Sequence, residues 1–173
     1  PAVAFEAAQA LIATARWDAA VDVVERAASS SLLPHARAVR HLVAADVALH
    51  HGAATDAAAH LDALAELLGA GSPPALAAYL LRLRIEDAVR RGEDASGLTA
   101  QAAGCCGPAG QRWQLLCRAL DVLRPTDDVA VVDALATAAA DTPVAGPVDA
   151  AFAATFATQL QRVTGTDDGT TWL

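Results

Sequence analysis

Histidine and cysteine side chains are the residues of this sequence that could bind a metal ion or act as nucleophiles. They are His35, His41, His50, His51, His60, Cys105, Cys106 and Cys117. Histidine pairs that bind zinc from one helix lie three or four residues apart, but successive histidines here are 6, 9, 1 and 9 residues apart. The three cysteines form no Cys-x-x-Cys pair, which disfavours zinc and thioredoxin-like sites, and their odd number disfavours a disulfide framework. We therefore predict no metal site and no cofactor.

Other catalytic motifs are also missing. The glycine-rich stretch 104–110 has no lysine after it, because the sequence contains none, and a phosphate-binding loop needs one. The acidic stretch 166–171 lacks the alternating ligands and final glutamate of a calcium loop. No Gly-x-Ser-x-Gly motif occurs. Because no nucleophile, base and orienting group come together, we predict no catalytic residues and no enzyme activity.

Composition and charge limit the class of protein. The chain has 173 residues, 54% hydrophobic and 18% charged, so it can bury a core and is too apolar for disorder. A formal net charge of −8 argues against nucleic-acid binding. No membrane span or signal peptide is expected, and the odd number of cysteines suits the cytoplasm. The absence of Lys, Asn and Met is typical of a high-GC bacterial genome, such as that of an actinobacterium, and the start at Pro1 suggests a fragment of a longer protein.

Helices are the elements that must position these side chains. Helix-forming residues dominate and two-residue alternation is almost absent, so the predicted class is all-α. Gly and Pro mark the helix ends. For example, His50 and His51 precede Gly52, where their side chains can interact favourably with the last backbone carbonyls of a helix. The predicted helices are 2–14, 18–28, 35–51, 55–68, 76–91, 93–103, 111–123, 127–140 and 148–163. Their short connections predict antiparallel hairpins.

The junction between helices recurs along the chain. Each return helix begins with an acidic residue, at Asp18, Asp56, Asp94 and Asp128, with intervals of 38, 38 and 34 residues. A carboxylate there complements the positive end of the helix dipole. Two residues later stands a small side chain, at Ala20, Ala58, Ser96 and Ala130. We expect these small residues to let the helices of each hairpin cross closely, and the repeated unit indicates a helical solenoid.

The first unit carries the residues that suggest a family. Its bulky and small positions match a tetratricopeptide repeat (TPR) at Leu11, Ala20, Val24 and Ala27. Pro34 closes the repeat, and the stretch Ala-Arg-Trp-Asp-Ala-Ala at 15–20 resembles its helix junction. Residues 2–140 therefore resemble a degenerate TPR array of bacterial signal-transduction regulators, although the usual Trp-x-x-Leu-Gly opening is absent and Asp62 occupies an apolar position. HEAT-like or irregular α-α superhelices stay open as alternatives.

The resemblance implies an architecture and a class of function. It implies one domain over residues 1–163, a right-handed α-α superhelix of about four antiparallel hairpins. The hairpins would span about 2–28, 34–68, 73–103 and 110–140, followed by a capping helix at 148–163 and a flexible acidic tail at 164–173. It also implies a non-catalytic protein–protein interaction or sensor module within a larger cytoplasmic regulator, of the LuxR-type or ATPase-linked transcriptional kind. A free-standing scaffold is the alternative, and a small-molecule-binding domain or an enzyme is less favoured.

Four arginines on the first helices of the predicted hairpins are the candidate binding residues: Arg40, Arg82, Arg84 and Arg118. In a solenoid these helices line the concave groove, where arginines would suit an acidic peptide or carboxylate of a protein partner. The alternative is surface ion pairing, which contributes little to stability. If the arginines form a binding stripe, Arg84→Glu and Arg118→Glu would weaken partner binding and leave thermal stability nearly unchanged. Neighbouring domains of the parent chain would be further partners. No direct binding of nucleic acid or membrane is expected. Two copies of the chain could pair through their alanine-rich helix faces as a homodimer.

Overall fold

The structure is a computed structural model that describes residues 2–29, 34–68, 73–123 and 129–165. Within these ranges it contains nine α-helices and no strand, which confirms the all-α class. The helices are α1 (Ala2–Ala13), α2 (Trp17–Ser29), α3 (Pro34–His50), α4 (Ala54–Leu67), α5 (Pro74–Arg91), α6 (Ser96–Gly104), α7 (Ala109–Asp121), α8 (Val129–Ala140) and α9 (Pro147–Thr164). Every predicted helix end lies within three residues of the observed one.

The start of α6 differs most from its prediction, because the Asp94 side chain folds over the first helical residue. Asp94 Oδ1 accepts the Ser96 backbone N–H at 2.9 Å, and Asp94 Oδ2 accepts the Ser96 hydroxyl at 2.9 Å. These hydrogen bonds lower the pKa of the Asp94 carboxyl. Asp18 and Asp56 lie in the first turns of α2 and α4, as predicted. Asp128 and most of the predicted acidic tail lie outside the described residues.

The first compact unit is Pro1–Ser72 and contains α1 to α4. Helix α2 packs against α1 and α3, and α3 packs most extensively against α4. Its largest fully buried side chains are Val24, Leu42, Val43, Leu49 and Leu64. Consecutive helices therefore pack against each other, as the short connections predict. The prediction of one domain over residues 1–163 stays a prediction.

The second compact unit is Pro73–Leu173 and contains α5 to α9. Helix α7 lies at its centre and contacts α5, α6, α8 and α9, while α6 contacts α8. Leu115, Leu116 and Leu120 of α7 are fully buried in this core. Helices α5, α7 and α9 thus form one layer, and α6 and α8 form a second layer against it. This packing places the exposed edges of three helices along one side of the unit.

Three helix ends share one turn geometry, which explains why a helix can stop and restart within a few residues. Helices α1, α3 and α5 are each followed by a residue with positive φ, namely Ala15 (55°), Gly52 (76°) and Gly92 (69°). The next backbone N–H donates five residues back, from Arg16 to Leu11 at 2.8 Å, from Ala53 to Ala48 at 2.9 Å and from Glu93 to Ala88 at 2.9 Å. This is the Schellman motif, which satisfies carbonyls at a helix C-terminus.

Ala15→Gly is expected to raise the free energy of unfolding by about 0.5–1 kcal/mol, because glycine adopts positive φ without the Cβ penalty that Ala15 carries. Ala15 is exposed, so the replacement removes no buried contact. Chemical denaturation followed by circular dichroism measures the difference. Ala10→Gly, at an exposed position inside α1, is the control and is expected to lower stability by a similar amount. Equal effects of the two changes would contradict the turn assignment.

The prediction that Ala58, Ser96 and Ala130 occupy close helix crossings like Ala20 is wrong. Ala20 is fully buried, but Ala58 is half-buried and Ser96 and Ala130 are exposed. The position that is buried in all four return helices is the fourth residue of the helix. It is occupied by Ala20, Ala57, Thr99 and Val132. Helix α2 begins one residue before its acidic residue and α4 begins two residues before, so alignment on the acidic residue shifts the register. The buried position recurs along the chain, but only the first two hairpins fill it with alanine.

Candidate functional site

A polar groove on the second unit brings residues of three helices together. It is lined by Arg82 of α5, by Gln114, Cys117, Arg118 and Asp121 of α7, and by Phe152 and Gln159 of α9, with a volume of about 380 Å³. The four α7 residues follow an i, i+3, i+4, i+7 pattern, which places them on one face of the helix. Because α7 packs against both α5 and α9, that face is flanked by the two neighbouring helices. We call this depression the α5–α7–α9 groove.

Arg118 is the centre of an ion-pair network in this groove. Its Nη2 lies 2.6 Å from Glu86 Oε2, and its Nη1 lies 2.9 Å from Asp121 Oδ2. Glu86 also accepts Arg90 Nε at 2.8 Å, and Asp121 Oδ1 lies 3.5 Å from Arg162 Nη2. The Arg118 side chain is 23% exposed, so its pairs are partly shielded from water. The network joins α5, α7 and α9 through charged side chains.

The groove is cationic although the protein is acidic. Four arginines of the groove and its network face two carboxylates: Arg82, Arg90, Arg118 and Arg162 against Glu86 and Asp121. The groove lining itself carries Arg82 and Arg118 against Asp121, and the wider network brings the excess to two positive charges on a chain of formal net charge −8. An adjoining depression of about 760 Å³ is also lined by Glu93 and Asp94. Arg118, Asp121 and Arg162 line that depression too, and its two additional carboxylates balance the excess there, so the cationic character is confined to the side of the groove where Arg82 lies.

The structure brings two of the four predicted arginines together. Arg82 and Arg118 line the same groove. Arg84 follows Arg82 by two residues, which is about 200° around a helix, so the two cannot share a face. Arg40 lies in the first unit and its Nε is 2.8 Å from Glu25 Oε1. Arg40 and Arg118 thus both form ion pairs, and a single row containing both Arg82 and Arg84 does not form, so the choice between a binding stripe and surface ion pairing stays a prediction.

The three cysteines differ sharply in their environments. Cys117 is buried in α7, its thiol donates to the Phe152 carbonyl at 3.3 Å, and burial raises its pKa to about 11. Burial also raises the pKa of the half-buried Cys105 thiol, whereas Cys106 is exposed. The thiolate is the nucleophilic form of cysteine, and a raised pKa keeps Cys117 in the thiol form at neutral pH. We therefore interpret Cys117 as an unreactive residue of the core.

Cys106 is expected to react with Ellman's reagent at pH 8 much faster than Cys117. A thiol pKa raised from 9.0 to about 11 lowers the thiolate fraction about a hundredfold, and burial adds a steric barrier. Mass spectrometry of the labelled protein identifies the order, and Cys106→Ser should remove the fast phase. In denaturant all three thiols should react together. A fast phase that persists in Cys106→Ser and disappears in Cys117→Ser would contradict the assignment.

The structure also pairs two histidines that the sequence intervals kept apart. His41 of α3 and His60 of α4 are both half-buried, with their Nδ1 atoms 3.1 Å apart. They are 19 residues apart in sequence, so a search for pairs on one helix cannot find them. His50 and His51 lie at the end of α3 as predicted, and the His50 ring lies 3.8 Å from that of Trp17. The side chain of His35 lies outside the described part of the structure.

An apolar pocket of about 250 Å³ lies between α7, α8 and α9. Trp113, Phe156 and Leu160 line it together with alanines of α8 and α9. Its polar groups are already hydrogen-bonded, because the Trp113 Nε1–H donates to the Pro143 carbonyl at 3.1 Å and the Thr142 hydroxyl donates to the Ala138 carbonyl at 2.6 Å. The pocket therefore offers shape and apolar surface but no polar specificity.

The described part of the chain offers neither a metal-binding cluster nor a membrane-spanning helix. Among the described residues, no group of three or more His, Cys, Asp or Glu side chains is placed to hold a metal ion. None of the helices in those ranges combines the length and apolarity needed to cross a bilayer. Comparison with protein-family models, with curated proteins and with solved structures found no match for this chain.

Proposed function

We propose that this chain is a non-catalytic interaction module whose α5–α7–α9 groove binds an acidic segment of a partner protein. The observation that carries the proposal is the positive excess of the groove lining, Arg82 and Arg118 against Asp121, on a chain of formal net charge −8. Guanidinium groups form paired hydrogen bonds with carboxylates. Complementary charge also raises association rates and excludes partners of the same sign.

The other groove side chains suit a peptide. Half-buried Phe152 offers apolar contact, and the amide of Gln114 can pair with a peptide backbone, whereas the Gln159 amide already donates to Asp121 Oδ1 at 3.3 Å. Three helices lie side by side along the groove, which offers an extended segment a surface that crosses all three.

The wider context is proposed from the TPR-like pattern. The two-layer packing of α5 to α9 supports a repeat array, in which the α5–α7–α9 layer would line the concave side of a right-handed superhelix. The parent protein would then be a cytoplasmic regulator of the LuxR-type or ATPase-linked kind, with this region controlling neighbouring domains. A free-standing scaffold is the alternative, and the sequence flanking this chain in its gene distinguishes the two.

Arg82→Gln is expected to weaken the binding of an acidic peptide about fivefold, equivalent to about 1 kcal/mol. Arg82 lines the groove with its guanidinium carbon 4.6 Å from the Tyr79 ring centroid, and its replacement removes one groove charge while the Arg118 pairs with Glu86 and Asp121 are kept. The probe is a fluorescein-labelled peptide of six glutamates, measured by fluorescence anisotropy at low and moderate salt. Binding by the wild type should weaken as salt rises, because the attraction is screened.

Arg84→Gln is the matched control, because it removes the same charge from the same helix on the side away from the groove. It should leave binding nearly unchanged, and a peptide of six lysines should not bind. Equal losses for Arg82→Gln and Arg84→Gln would show a diffuse charge effect and contradict the groove. No binding of the acidic peptide by the wild type would contradict the proposed ligand class.

A further inference from the structure

The contact between His41 and His60 joins the two helices of the α3–α4 hairpin. The Nδ1 atoms are 3.1 Å apart and the ring centroids 5.3 Å apart. A neutral imidazole carries one N–H and one lone pair. The contact therefore requires a hydrogen on one Nδ1 and a lone pair on the other, and the structure fits a single N–H···N hydrogen bond across the hairpin.

The number of protons on the pair decides whether this bond can form. The neutral pair forms it, and a first added proton can occupy the outer Nε2 of the donor ring and leave the bond intact. A second proton places hydrogens on both Nδ1 atoms, so two donors and two positive charges face each other. Like charges at that separation repel strongly in a half-buried site. The doubly protonated pair is incompatible with the observed contact.

We propose that the α3–α4 hairpin is a proton-sensitive element, which opens when both imidazoles of the His41–His60 pair become protonated. The proton comes from solvent, and no other reactant is needed. The element lies in the first unit and its opening does not depend on the groove of the second unit.

The surroundings of His41 favour its neutral form. Burial is the main cause that lowers the pKa of His41, and His60 of α4 together with Arg40 and Arg37 of its own helix act in the same direction. Glu25 of α2 acts in the opposite direction, but its carboxylate is paired with Arg40 at 2.8 Å. Helix α1 also packs against α3, and its one titratable side chain, Glu6, does not act on His41.

The sign of the pH effect follows from the lowered pKa. The folded hairpin holds fewer protons than the open chain once the pH falls below about 6.5, the ordinary pKa of histidine. The stabilising contact is fully present above that pH and is lost progressively as the pH falls. Each proton taken up on opening changes the opening equilibrium by up to about tenfold per pH unit.

Hydrogen–deuterium exchange of the whole chain at pH 7, 6 and 5 tests the proposal. After correction for the intrinsic pH dependence of exchange, the opening constant of the α4 amides is expected to rise at least tenfold between pH 7 and pH 5. The α7 segment, in a unit whose described residues contain no histidine, is the internal reference and should change little. An α4 opening constant that tracks that of α7 would overturn the proposal.

His60→Gln supplies the decisive variant, because the amide can still bond to His41 but does not titrate. It should abolish most of the pH dependence in α4, whereas His51→Gln, which removes an exposed histidine of the same unit, should retain it. If His60→Gln does not fold, an NMR titration of the wild-type imidazoles replaces it. Two coupled steps support the pair, and independent titration of the two rings overturns it.

Discussion

Ala57→Leu is expected to lower the free energy of unfolding by about 1–3 kcal/mol, whereas Ala58→Leu should change it by less than about 0.5 kcal/mol. Ala57 is fully buried in α4, so three additional carbons must displace neighbouring side chains or backbone. Ala58 is half-buried, and a leucine there can extend toward solvent. Both changes replace alanine by leucine in the same turn of α4, so their helix propensities cancel in the comparison.

Urea denaturation followed by circular dichroism measures the difference between the two variants. Ala20→Leu should behave like Ala57→Leu, because Ala20 is equally buried and is also the fourth residue of its helix. Ala130→Leu, at an exposed site in α8, should behave like Ala58→Leu. A larger loss of unfolding free energy for Ala58→Leu than for Ala57→Leu would support the alignment of the helices on their acidic residues. It would contradict the register observed in α4.

Helix positions could be predicted closely because local residues set them. Gly52 and Gly92 adopt the positive φ that ends α3 and α5, and the carboxylates of Asp18 and Asp56 mark the helix starts. Each signal acts within one turn of the chain, so the sequence alone displays it. Ala15 is the exception, since it adopts positive φ without being glycine.

The candidate site could be predicted only in part, because it depends on which helices meet. Arg82 and Arg118 converge only because α5 packs against α7, and Glu86 of α5 pairs with Arg118 across the same contact. The His41–His60 contact likewise depends on the crossing of α3 and α4. A one-residue change in helix register moves a side chain by about 100°, so small alignment errors redirect whole faces.

Arg118→Glu is expected to lower the free energy of unfolding by about 2 kcal/mol, contrary to the nearly unchanged stability that a surface stripe predicts. A glutamate at this position would face Glu86 and Asp121, the two carboxylates that Arg118 now pairs at 2.6 and 2.9 Å. Exposed ion pairs contribute roughly 0.2–1 kcal/mol and breaking buried ones costs roughly 3–5 kcal/mol. The 23% exposure of the Arg118 side chain places the expected loss between those ranges.

Arg84→Glu separates this local effect from the change in net charge. It reverses the same charge on α5, where Arg84 has no ion-pair or hydrogen-bond partner among the described residues, and should change stability by less than about 0.5 kcal/mol. Part of the Arg118→Glu loss should disappear in high salt, because the repulsion between carboxylates is screened. Arg118→Gln should cost less than Arg118→Glu, since it removes the pairs without adding repulsion. Equal stability of Arg118→Glu and Arg84→Glu would mean that the network contributes nothing to holding α5, α7 and α9 together.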